Sequence, residues 1–189
     1  MNKATDQKLT LGMLEKAARD SADLPPLDKW HPEPSGDLDM RIARDGSWYY
    51  LGSLIRRPAL VKLFSRILRR EGDDYFMLTP VEKYRIKVED APFVAVQMDV
   101  LDDDGITKLA FTTNVGTTVI AGEGHDIRVE TDAATGEPSP YLHVRDGLEA
   151  LIHRNVFYQL VDIAEQVDDA DGSYLQVRSA GRCYQIGRL

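Results

Sequence analysis

Asp45-Gly46-Ser47-Trp48-Tyr49-Tyr50-Leu51-Gly52-Ser53-Leu54-Ile55-Arg56-Arg57-Pro58-Ala59-Leu60-Val61-Lys62-Leu63-Phe64 decides the fold reading. Asp45-Gly46 stands between two apolar runs, Met40–Ala43 and Trp48–Leu51, and such a dipeptide predicts a β-hairpin. Pro58 follows, with its fixed φ suited to the first turn of a helix. From there Leu60, Leu63, Phe64, Ile67 and Leu68 share one helical face, and Lys62, Arg66, Arg69 and Arg70 another. Gly72 is the expected stop. The stretch therefore predicts hairpin, then helix, then turn.

Downstream, strand signals dominate: Tyr75–Leu78, Tyr84–Val88, Phe93–Leu101, Lys108–Thr113, Thr117–Ile120, Asp126–Glu130 and Tyr141–Val144. Asp102-Asp103-Asp104-Gly105 marks a turn, and Thr131–Pro140 a Gly/Pro loop. A second helix is expected from about Asn155 to Val167, then strands Tyr174–Val177 and Cys183–Ile186. Upstream, Thr10–Ala22 has helical spacing. Pro25, Pro26, Pro32 and Pro34 make the next segment a loop that carries Trp30 and His31.

The opening pattern recurs. Leu51, Leu54, Ile55, Arg57 and Leu63 match Leu148, Leu151, Ile152, Arg154 and Leu160 at a constant offset of 97. Tyr75 maps onto Tyr174, and Tyr84-Arg85-Ile86 onto Tyr184-Gln185-Ile186 as loops shift the offset. Such self-similarity is the mark of a duplicated structural unit. The expected fold is α+β, with two lobes built from a repeated strand–helix–strand unit. The expected divisions are an N-terminal helix (1–24), a first lobe (25–88) and a second lobe (89–189).

Composition constrains the function class. Of 189 residues, 43% are hydrophobic and 29% charged, which suits a folded chain. The net charge of −8 argues against nucleic acid or an anionic membrane as the partner. That charge is uneven: residues 41–87 sum to +6 and residues 88–189 to −11. One cysteine, Cys183, forms no disulfide within the chain and points to a reducing compartment. The first residues hold no apolar run fit for a signal peptide, and no segment has the length of a membrane helix. The expectation is a cytoplasmic protein.

Few residues suggest chemistry. His31, His125, His143 and His153 form no close pair at helical spacing, and Asp102–Gly105 lacks the late glutamate of a calcium loop, so no metal is expected. Gly52-Ser53 is not a nucleophile elbow. Cys183 reads as a buried, inert thiol. No phosphate-binding glycine motif occurs, and no cofactor is expected. Glu82, Lys83 and Glu89 offer an acid–base set if one carboxylate is buried beside the lysine.

Four segments carry a family resemblance: Asp45–Arg57, Tyr75–Lys83 with its Thr79-Pro80-Val81-Glu82-Lys83, Val88-Glu89-Asp90-Ala91-Pro92-Phe93, and Tyr141–Tyr158. In this order they resemble the uncharacterised proteobacterial family called domain of unknown function 1285, over roughly residues 25–189. The resemblance implies a duplicated two-domain α+β fold and a C-terminal domain like a pleckstrin-homology antiparallel barrel with a helix. It also implies a ligand site at the interface between the domains, and a role in signalling.

Together these readings predict a non-enzymatic protein that holds a small anion, a nucleotide-like metabolite or a peptide between its lobes. Arg57, Lys83, Arg145 and Arg154 would supply charge, and His153 or Trp30 specificity. An arginine beside a helix N-terminus joins backbone N–H groups in holding an anion. The alternatives are an enzyme using Glu82, Lys83 and Glu89, or a module that docks a protein partner.

Overall fold

The computed structural model describes residues 24–189, so the helix expected at Thr10–Ala22 lies outside the described residues. The chain divides into two compact units, Met1–Asp90 and Ala91–Leu189. The described residues are mostly β. They form two mixed six-stranded sheets, a small antiparallel sheet, two short α-helices and one 3₁₀ turn. The expected balance of helix and strand is thus shifted toward strand.

In the first unit, β1 (Pro34–Ile42) and β2 (Trp48–Tyr50) form the predicted hairpin, with Ile42 opposite Trp48. Asp45 Oδ1 accepts the Ser47 N–H at 2.9 Å, and Gly46 takes φ 85°, which a side chain would resist. A short β3 (Ser53–Leu54) follows, then α1 (Pro58–Ser65), β4 (Leu68–Glu71), β5 (Asp74–Leu78) and β6 (Lys83–Val88). The strand order is β3-β2-β1-β6-β5-β4; only β1 and β6 run parallel. One face of the sheet carries Leu38, Met40, Ile42, Trp48, Leu68, Met77 and Ile86, all buried, as is Phe64 of α1. Fully burying a side chain the size of Phe64 stabilises by about 1.5–3 kcal/mol.

Helix α1 stops well before Gly72. Its last turn tightens as the Arg66 and Ile67 N–H groups reach the carbonyls of Leu63 and Phe64, and the Ser65 hydroxyl donates to the Lys62 carbonyl at 2.7 Å. The Leu78 N–H then bonds the Ile67 carbonyl and the chain enters β4. Ile67 and Leu68 are buried, but as a turn and a strand residue, so the expected basic helical face of Lys62, Arg66, Arg69 and Arg70 does not exist.

The second unit contains β7 (Phe93–Asp103), β8 (Ile106–Thr113), β9 (Thr118–Ile120), β10 (Ile127–Thr131), β11 (Pro138–Arg145) and β12 (Leu148–Ile152). They form a curled half-barrel sheet in the order β10-β11-β12-β7-β8-β9, with one parallel pair, β12–β7. The remaining elements are α2 (Arg154–Asp162) and a meander of β13 (Glu165–Asp169), β14 (Gly172–Ser179) and β15 (Arg182–Arg188). The Asp104-Gly105 turn joins β7 to β8 with positive φ at both residues, 52° and 81°, as a two-residue hairpin loop requires. Helix α2 also ends early, at Asp162, and residues 165–167 of the expected helix are strand.

Both units contain a hairpin, a helix and a three-stranded meander in that order. Met77 opposite Tyr84 in the first meander corresponds to Val177 opposite Tyr184 in the second. The units differ in how the meander is joined. In the first, β6 pairs with β1 and completes one sheet. In the second, β7 occupies the flank of β12 and the meander stands as its own sheet.

Candidate functional site

Strand β6 places Lys83, Arg85 and Lys87 on one face, because alternate residues of a strand share a side. This is the face opposite the apolar core of the first unit. Arg85 stands beside Asp37 of β1 and makes two hydrogen bonds to its carboxylate, at 2.8 and 3.2 Å. Hydrogen bonding and charge from Arg85 hold the Asp37 carboxyl below its ordinary value. Arg41 donates to Glu89 at 2.5 Å and lies 4.2 Å from the Tyr49 ring centre. That hydrogen bond, and a second from the Arg44 N–H, lower the Glu89 carboxyl.

The β1–β6 ladder widens in the middle. Asp37 opposes Arg85 and Arg41 opposes Lys87, so four steps along β1 match two along β6. On the other side, the β5 ladder ends with Tyr75 opposite Ile86, leaving Lys87 and Val88 without β5 partners. An open cleft of about 390 Å³ lies here, lined by residues of β1, β5 and β6 that include Asp37, Asp74, Tyr75, Arg85 and Lys87. Among the described residues, neither Lys87 nor Asp74 makes a side-chain hydrogen bond or ion pair.

The residues predicted for binding occupy other places. Arg57 is the exposed N-cap of α1, and His153, not Arg154, caps α2, with Nδ1 accepting the Asn155 N–H at 3.3 Å. The equivalence of Arg57 and Arg154 therefore slips by one residue. Arg154 pairs with Glu137 at 2.5 Å on an exposed surface. Arg145 lies 5.8 Å from the Phe93 ring centre, and burial pushes its guanidinium below the ordinary value. Lys83 is 15% exposed, pairs with Glu71 and lies 4.4 Å from the Phe76 ring centre. Glu71 also holds Arg69, whose Nη1 donates to the Trp30 carbonyl at 3.1 Å. Trp30 is thus half-buried in a tethered loop. Arg57, Lys83 and Trp30 belong to the first unit; Arg145, His153 and Arg154 belong to the second.

Glu82, Lys83 and Glu89 do not converge: Glu82 accepts the Tyr84 hydroxyl at 3.0 Å, Lys83 pairs with Glu71, and Glu89 pairs with Arg41. Cys183 is exposed, not buried. The cleft residues Asp37, Asp74, Arg85 and Lys87 were not singled out in the sequence. The period-two basic pattern Lys83, Arg85, Lys87 was the available signal.

Comparison with family models matches residues 25–91 to the DUF1285 N-terminal domain and residues 92–186 to the DUF1285 C-terminal domain. The chain belongs to the DUF1285 family. A DUF1285 crystal structure from Silicibacter pomeroyi DSS-3 is 48% identical with a TM-score of 0.83, and the match covers 93% of this chain and 95% of that one. Another, from Shewanella baltica OS155, is 32% identical with a TM-score of 0.53, covering 66% and 91%. No curated protein matches. The DUF1285 models describe domains of unknown function, so the site must be argued from its residues. No helix among the described residues is long and apolar enough to cross a membrane.

Proposed function

We propose that this DUF1285 protein is a non-catalytic binding protein, and that the cleft over β6 in its first unit receives a small charged ligand. The observation that carries this reading is Lys87, a cation at a cleft of about 390 Å³ with no hydrogen-bond or ion-pair partner among the described residues. That volume falls within the ~300–1,000 Å³ of small-molecule sites. Arg85 beside it is fixed by Asp37, so one cation is held in place while the other is available. The lining presents no nucleophile–base pair, which favours binding over reaction. A binder of this kind acts as a sensor or carrier, in keeping with a signalling role. The hairpin, helix and meander in each unit support reading the units as copies of one ancestral element. The curled sheet and helix of the second unit support the pleckstrin-homology likeness.

A thermal-shift screen against nucleotides, sugar phosphates, acidic metabolites and short peptides tests the proposal, since a ligand of the folded state raises Tm. The expected hit loses its shift in Lys87→Ala and Arg85→Ala. A hit whose shift survives both substitutions overturns the assignment to this cleft.

A further inference from the structure

Extending the β5–β6 ladder one step beyond Tyr75 and Ile86 brings Asp74 to the position opposite Lys87. These two do not meet. No hydrogen bond or ion pair joins them, although both line the cleft. Other charges account for part of this. Lys87 stands opposite Arg41, a like charge, and exerts its attraction on Glu89. Asp74 lends its negative charge to Arg85, whose Nε and Nη2 are already committed to Asp37. One cation and one carboxylate are left facing the same opening from opposite strands.

An opening with an ammonium on one wall and a carboxylate on the other, neither held in a hydrogen bond or ion pair among the described residues, favours a ligand that carries both opposite charges. A simple anion would pair with Lys87 while facing Asp74 and Asp37, at a cost from like-charge repulsion. A simple cation would face Lys87 and Arg85. A zwitterion satisfies both walls, and Tyr75 supplies an aromatic neighbour along the same lining. From this geometry we infer that the ligand of the cleft is amphoteric: an amino acid or very short peptide, its carboxylate toward Lys87 and its ammonium toward Asp74. This assignment rests on the binding reading given above.

The test uses the full chain and four probes by calorimetric titration: glycylglycine, its N-acetyl form, its C-terminal amide, and inorganic phosphate. The free dipeptide is expected to bind at least tenfold more tightly than either capped form or phosphate. Lys87→Ala should abolish discrimination against the amide, and Asp74→Asn discrimination against the N-acetyl form. Both side chains lie on the surface, so unchanged melting of the unliganded variants confirms that folding is not the cause. If phosphate or the N-acetyl form binds as well as the free dipeptide, and Lys87→Ala weakens it, the ligand is an anion. The zwitterion assignment then fails while the cleft stands. Dipeptide binding that neither substitution changes removes the cleft itself. No binding by any of the four overturns the amphoteric assignment.

Discussion

The hydroxyl of Ser179 donates to the carbonyl of Ala121 at 2.6 Å, in a position with no solvent exposure. The same oxygen accepts the Leu109 N–H at 2.9 Å. One buried hydroxyl thereby ties the end of β14 to β8 and to the segment after β9. With the Ala180 N–H bonded to the Thr107 carbonyl, it fastens the three-stranded meander to the half-barrel.

Ser179→Ala removes both bonds and leaves a buried N–H and a buried carbonyl short of partners. An unsatisfied buried group costs about 1–3 kcal/mol, so the variant should lose about 2–4 kcal/mol of stability in urea unfolding. The loss should fall on the second unit, read as faster amide exchange in β8 and β14.

Arg69 holds the carbonyls of Leu27 and Trp30, at 3.3 and 3.1 Å, and pairs with Glu71. Arg69→Met keeps the length of the side chain and removes these bonds, at an expected cost of about 1–3 kcal/mol. Trp48 is 1% exposed, so quenching by acrylamide reports mainly on Trp30. Quenching should rise in Arg69→Met; equal quenching in Arg69→Met and the parent would show that the loop is held by other contacts.

Acid should weaken the first unit. The Asp37 carboxyl is held below its ordinary value of 3.8 and that of Glu89 below 4.5. A carboxyl depressed in the folded state contributes stability above its unfolded pKa, and that contribution is lost as pH falls through the folded value. Stability should therefore decline below about pH 4.5, and Arg85→Gln and Arg41→Gln should each flatten the decline. Both pairs are exposed, so high salt should flatten it too. Urea melts from pH 6 to pH 2 at two salt concentrations provide the check.

The thiol of Cys183 is exposed on β15. Ellman's reagent should therefore modify one thiol per chain in the native protein, without denaturant and within minutes. Protection until urea is added would mean that this edge is covered in solution.

The sequence was most legible where one residue type dictates one backbone geometry. Asp45-Gly46 turned as expected, Pro58 opened α1, and Asp104-Gly105 formed a tight turn. Both units contain a hairpin, a helix and a meander in the same order. Both helices were overextended at the same place, because Ile67, Leu68, Ala164 and Val167 fit helical spacing equally well as turn and strand residues. Periodicity cannot separate a helix of two turns followed by a buried strand from one longer helix. The cleft was hidden for a different reason. Lys83, Arg85 and Lys87 are visible as an alternating basic strand, but the widening opposite them depends on how β1 pairs with a strand far along the chain. Arg57 and Arg154 drew attention through their repeat, and a repeat preserves local geometry most readily.

Among the described residues each unit contains one parallel strand pair, and in each it joins segments from opposite ends of the sheet-forming sequence. Hairpins such as β1–β2 close between neighbours in about 1–10 μs. Strand β1 gains its second flank only once β6 exists. During synthesis, at roughly 5–20 residues per second, the edge of β1 waits unpaired for several seconds while residues 43–88 are made. Pro34 and the charged Asp37, Asp39 and Arg41 occupy that waiting strand, residues of the kind that discourage a foreign strand from adding first.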